Sequence, residues 1–146
     1  MNPSMPTFST SPLPSEGSAT RVLYLEDHAP LRSLIVDCMR KAGYDVECAE
    51  DGAEGWRKFC AVPFDLVVTD LHMPNLDGLG FIKLVRESKR PVRIMVYSSD
   101  MSEPMLTNLH KLGVTALVPK QANWEILRKM MAGMMRINPQ GLVPPI

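Results

Sequence analysis

The sequence predicts an α/β fold, a doubly wound parallel sheet with helices on both faces. Three observations point there. Short β-type runs alternate with helical patterns along residues 21–136, the mark of βαβ units joined by right-handed crossovers. The 146-residue chain is 45% apolar and 22% charged, enough to build and solubilise one core. Charged or polar residues stand just past the apolar runs, at Glu26-Asp27, Asp70, Ser98 and Lys120. In open sheets of this kind, ligands bind outside the carboxyl ends of the strands, where strand order reverses.

Arg21 to Leu25 reads as the first strand, ending in the acidic pair Glu26-Asp27. Pro30 suits the first turn of the helix that follows. Leu31, Leu34, Ile35, Cys38, Met39 and Ala42 then recur on one helical stripe, which Gly43 closes. Tyr44 to Ala49 is the second strand. Asp51, with Glu54 three residues on, resembles a capping pair, and Trp56 and Cys60 supply the apolar face of the next helix. Phe64 to Thr69 makes the third strand, with Asp70 at its end. The third helix runs from about Gly78 to Ser88, with Phe81, Leu84 and Val85 inward. Val92 to Tyr97 is the fourth strand, followed by Ser98-Ser99-Asp100. Met105, Leu109 and Leu112 carry the fourth helix, which Gly113 stops. Thr115 to Val118 is a short fifth strand before Pro119-Lys120. Asn123 caps a last helix with Leu127, Met130, Met131 and Met134 inward.

The flanks differ in kind. Residues 1–20 hold four prolines, five serines and three threonines, with Glu16 the sole charge. Such a stretch buries too little apolar surface to offset its ordering entropy, so a disordered leader is expected there. Residues 137–146, with Asn138-Pro139-Gln140-Gly141 and Pro144-Pro145, read as a tail. The folded unit is 21–136. Sixteen basic residues balance sixteen acidic ones, which argues against a nucleic-acid-binding surface. Apolar runs such as Leu66–Val68 are too short for a membrane span, and no cationic, apolar signal segment opens the chain. Cys38, Cys48 and Cys60 are scattered, which fits a reducing cytoplasm and neither a disulfide framework nor a zinc site. They read as small core hydrophobes.

Carboxylates at Glu26, Asp27 and Asp70 converging on one crevice repel each other unless a cation sits among them. Hard oxygen ligands with room for water suit Mg²⁺. Lys120 and the Ser98 hydroxyl supply donors for the remaining oxygens of a phosphoryl group, and Asp70 can then act as a carboxylate nucleophile.

This set, with Asp70-Leu-His-Met-Pro74 and then Asp77-Gly78, strongly resembles the receiver domain of two-component response regulators. The resemblance spans nearly all of 21–136. It implies a flavodoxin-like five-stranded sheet in order 2-1-3-4-5. It also implies Asp70 as phosphoacceptor, Asp27 as a direct metal ligand, Glu26 as a carboxylate helping to hold the metal, and His72 as a backbone-carbonyl ligand. Ser98 is then the hydroxyl that swings to the phosphoryl group, with Lys120 its ion-pair partner. His72 and Asp100, each two residues past a site residue, would tune hydrolysis. The implied phosphodonor is a histidine kinase or phosphotransfer protein. The implied output is docking to a downstream protein or homodimerisation, with no direct nucleic-acid binding and no membrane contact. Two departures concern transmission. Leu117 stands where the family often carries an aromatic switch, and Lys120 is preceded by Pro119 and followed by Gln121, not by the family's proline.

The function expected is a phosphorylation-controlled signalling switch, not a turnover enzyme. The chain stands alone or is a fragment of a longer regulator or hybrid kinase. A haloacid-dehalogenase-like phosphatase would also use an aspartate nucleophile, but needs a second acid two residues on, where His72 stands, and a cap insertion. A receiver that signals without phosphate is the third reading, and the intact acidic set argues against it.

Overall fold

The computed structural model describes residues 19–136. Most of the expected leader and all of the expected tail lie outside the described residues. Among the described residues, ten elements alternate strand and helix: β1 (Arg21–Leu25), α1 (Ala29–Lys41), β2 (Asp45–Ala49), α2 (Gly52–Ala61), β3 (Leu66–Thr69), α3 (Gly78–Ser88), β4 (Arg93–Ser98), α4 (Glu103–Lys111), β5 (Ala116–Pro119) and α5 (Trp124–Met134). The strands pair in parallel in the order β2-β1-β3-β4-β5, so the chain reverses its direction of winding beside β1. The switch point therefore lies between β1 and β3, at the ends that carry Glu26 and Asp70.

Side chains on a strand alternate between faces, and here both faces are covered. Leu23, Leu25, Val67, Ile94 and Val96 point to one core, packed with Phe59, Phe81, Ile82 and Leu109. Val22, Tyr24, Leu66, Val68, Met95 and Tyr97 point to the other, packed with Ile35, Met39, Leu127 and Met131. Phe59 anchors the first core. It stacks on Trp56 at 5.8 Å, meets Phe81 edge-on at 6.3 Å, and carries the Arg90 guanidinium 4.6 Å above its ring.

Several inward faces are corrected. Leu34 is 58% exposed, and Val36 takes its place against the sheet beside Ile35 and Met39. Cys60 is exposed, and Phe59 with the close-packed Gly55 makes the buried face of α2. Met130 lies outside while Leu127 and Met131 are buried. Leu84 and Leu112 are only half-buried. The physical cause is common to all. A helix lying on a sheet buries a narrow strip, and an i, i+3, i+4 apolar stripe is wider than that strip.

Candidate phosphorylation and metal site

The sheet itself places the site. The parallel ladder continues one residue past the strands: Glu26 N–H donates to Ala49 O at 2.9 Å, Asp70 N–H to Leu25 O at 3.1 Å, and Lys120 N–H to Ser98 O at 3.1 Å. Glu26, Asp70 and Lys120 are thus each fixed by a backbone bond before their side chains are considered. Gly78, which opens α3, lies so close to this rim that a Cβ there would stand 2.0 Å from Asp70 O. Only glycine fits at that approach.

The structure brings Glu26, Asp27 and Asp70 together, one carboxylate oxygen of each lying within 4.8 Å of the others. Asp27 is exposed, whereas Glu26 and Asp70 are 1% and 6% exposed. Lys120 reaches in from the far side, its Nζ 2.7 Å from both Glu26 Oε1 and Asp70 Oδ2. Glu26 Oε1 makes this ion pair without a hydrogen bond of good angle, while Oε2 accepts the His28 N–H at 3.1 Å. Asp70 Oδ1 accepts the Leu71 N–H at 2.6 Å.

Burial pushes the Glu26 carboxyl up from its ordinary value, and the paired Lys120 ammonium and the His28 N–H hold that rise back. Burial alone would lower the Lys120 ammonium, but its bonds to Asp70 and Glu26 outweigh this and raise it. One ammonium thus faces three carboxylates. That excess of oxygen donors is what a small divalent cation needs.

Ser98 is fully buried at the end of β4, and its Oγ accepts the Asp100 N–H at 3.2 Å, tying the hydroxyl to its own loop. The His72 side chain is largely exposed and leans across to Asp100, with Nε2 2.6 Å from Oδ2. That bond, then the Ser102 N–H, holds the Asp100 carboxyl down to about 2. Leu117 is half-buried and packs against the core that contains Phe81 and Leu109. Two features escaped the sequence reading: the direct His72–Asp100 contact, and a hydrogen bond from Asn75 to Asp51. Asn75 stands in the left-handed region at φ +69°, where asparagine is enriched; its place just before Asp77-Gly78 was the available signal.

The response regulator receiver domain family matches residues 22–132. The chain is 30% identical to chemotaxis protein CheY of Bacillus subtilis over 103 residues, covering 70% of this chain and 86% of that protein. It is 28% identical to the autoinducer sensor kinase/phosphatase CqsS of Vibrio cholerae over 124 residues, covering 83% of this chain and 18% of that one. Among solved structures, chemotaxis protein CheY4 of Vibrio cholerae superposes with a TM-score of 0.76 at 28% identity, covering 80% of this chain and 99% of the other. The Thermotoga maritima response regulator TrrA, solved with Mg²⁺-BeF, gives 0.70 at 25% identity and covers 79% and 98%. Three curated relatives, TrcR of Mycobacterium tuberculosis, CqsS, and TmoS of Ectopseudomonas mendocina, are longer: the chain spans 29%, 18% and 11% of their lengths.

Proposed function

We propose, from the premise that this chain belongs to the response regulator receiver domain family, that Asp70 is the residue it phosphorylates. Phosphorylation-controlled two-component signalling is the function of the family and of this chain. One observation carries the assignment of the residue: Lys120 Nζ stands 2.7 Å from both Asp70 and Glu26 at the rim where Asp27 completes the acidic set.

The donor set fits Mg²⁺, a hard cation that takes oxygen ligands and retains waters. Glu26, Asp27, Asp70 and the backbone carbonyl of His72 would hold it. When bound, it supplies neutralisation of the charge on a transferring phosphoryl group. The binding of Mg²⁺-BeF to TrrA, a relative in fold and sequence, supports this reading.

The chain's own residues do the rest. Asp70 attacks phosphorus in line with the departing donor nitrogen of a phosphohistidine, whose imidazole keeps the electron pair and takes a proton. Lys120, already on Asp70, pairs with a phosphoryl oxygen once it arrives. Ser98 gives up the Asp100 N–H and turns its Oγ to donate to another. Relatives that are themselves sensor kinases, CqsS and TmoS, support a histidine kinase or phosphotransfer protein as the donor. Output follows through a downstream protein or a second copy of the chain. No helix among the described residues is long and apolar enough to cross a membrane.

Intact-mass measurement after incubation with acetyl phosphate tests the assignment. The parent should gain one phosphoryl group with Mg²⁺ and none without it. Asp70→Asn should gain none while staying folded, since amide and carboxylate have similar volumes. Labelling of that variant at comparable yield would place the phosphoacceptor elsewhere.

A further inference from the structure

The loop from Leu71 to Asp77 forms the lip of the acidic site, and its shape is set from outside by α2. Asp51, the N-cap of α2, uses its two carboxylate oxygens for different ends. Oδ1 accepts the Glu54 N–H at 2.8 Å, the ordinary capping bond. Oδ2 accepts Asn75 Nδ2 at 2.6 Å, across to the loop. The next residue adds a second tie, because Gly52 N–H donates to Leu76 O at 2.8 Å. A Cβ at Gly52 would stand 2.2 Å from that oxygen, so this approach also demands glycine. Asp51 is only 8% exposed, so its second oxygen is committed to the loop and not to solvent.

At its base the loop closes where Gly78 N–H meets Leu71 O at 2.9 Å. Residues 72–74 are therefore an arc slung between two fixed points, Leu71 with Gly78 at one end and Asn75 with Leu76 at the other. A helix cap needs one oxygen from its aspartate. The second bond serves the loop.

We infer that Asp51 and Asn75 are positioning residues for the cation site: their hydrogen bond holds the 72–74 arc so that the His72 carbonyl joins Glu26, Asp27 and Asp70 around Mg²⁺. Neither residue is among those that would touch the metal or the phosphoryl group. The inference rests on the metal reading given under Proposed function. Groups that orient metal ligands from behind usually change affinity by about 10- to 100-fold when removed.

The test is a Mg²⁺ titration of the full chain by amide chemical shifts, paired with thermal unfolding in the absence of metal. Asn75→Gly keeps a residue suited to φ +69° and removes the amide. Asp51→Ser keeps a capping oxygen and removes the one that Asn75 holds. Each should weaken Mg²⁺ by about tenfold, and the double variant no further, since one bond is lost in all three. Exchanging the pair, Asp51→Asn with Asn75→Asp, restores an amide–carboxylate bond with a capping side chain still in place and should recover the affinity. A purely structural role would lower the melting temperature and leave Mg²⁺ affinity where it was. A parent that binds Mg²⁺, with Asn75→Gly and Asp51→Ser binding it equally well, overturns the inference alone. A parent that binds no Mg²⁺ overturns the metal reading and this inference with it.

Discussion

At the scale of single residues, the contact between His72 and Asp100 is the detail with the sharpest consequence. It joins the loop after Asp70 to the loop after Ser98, 2.6 Å apart across the mouth of the site. Asp100 is held at about 2, first by His72, below an ordinary carboxylate value of about 4. A depressed acid contributes stability above its unfolded value and loses it as pH falls through the folded one, here between about 4 and about 2. The Asp100 carboxyl is therefore ionised at neutral pH, and its bond to His72 links residues two positions beyond Asp70 and Ser98. His72→Ala and Asp100→Ala should each change the rate of phosphate loss several-fold while labelling still proceeds, as followed by decay of the phosphorylated mass. In His72→Ala, the Asp100 carboxyl should titrate closer to its ordinary value by NMR. Identical decay in the parent and both variants would remove the pair from control of hydrolysis. The positions of the charged residues were legible in sequence, because the fold carries strand-end residues to one rim. Their pairing across loops was not. A bond such as Asn75 to Asp51 depends on the path of a loop, which no periodicity encodes.

Among the elements, α4 is the one least held. Leu109 is its single buried residue, and its N-cap Ser102 makes no side-chain capping bond. Its other end is pinned, since Arg86 Nε donates to Leu112 O at 2.9 Å. The N-terminal end is held more lightly, by half-buried Met105 against the core and the Ser102 N–H on Asp100 Oδ1 at 3.1 Å, so Ser98 turning toward a phosphoryl group should move residues 98–105 most. Leu117 has no polar ring end to exchange between inward and outward positions, so β5 should move little. Amide shifts with and without beryllofluoride, a phosphoryl mimic, should change most near Asp70, Ser98–Met105 and Lys120, and least at 114–118. The reverse pattern would sink this account of the switch. Element type and order were readable along the whole described chain, because alternating apolar runs and helical stripes leave few other folds. The facing of helices was read less well. In α1 the apolar stripe includes Leu34, but contact with the sheet centres on Ile35, Val36 and Met39. In α2 it centres on Phe59, one residue from the expected Cys60. Packing geometry chooses the strip, and hydrophobicity only offers candidates.

For the molecule as a whole, a formal net charge of zero hides a local imbalance. Three carboxylates crowd one rim opposite one ammonium, in a domain whose total stability is a small difference between large terms. A cation that binds this rim in the folded chain and not in the unfolded one must stabilise the fold by mass action. At a Mg²⁺ concentration ten times its Kd, the gain is about 1.4 kcal/mol, or roughly 5 °C in melting temperature for a domain of this size. Asp27 separates the two effects, because it is exposed and supports no packing. Asp27→Ala should melt slightly higher than the parent without metal, since one repelling carboxylate is gone. It should then lose most of the rise that Mg²⁺ gives the parent. Thermal unfolding of both chains across a Mg²⁺ series reads the two changes in one experiment. An equal rise in both would show that Asp27 is not a ligand, leaving Glu26 and Asp70 as the carboxylates that hold the cation.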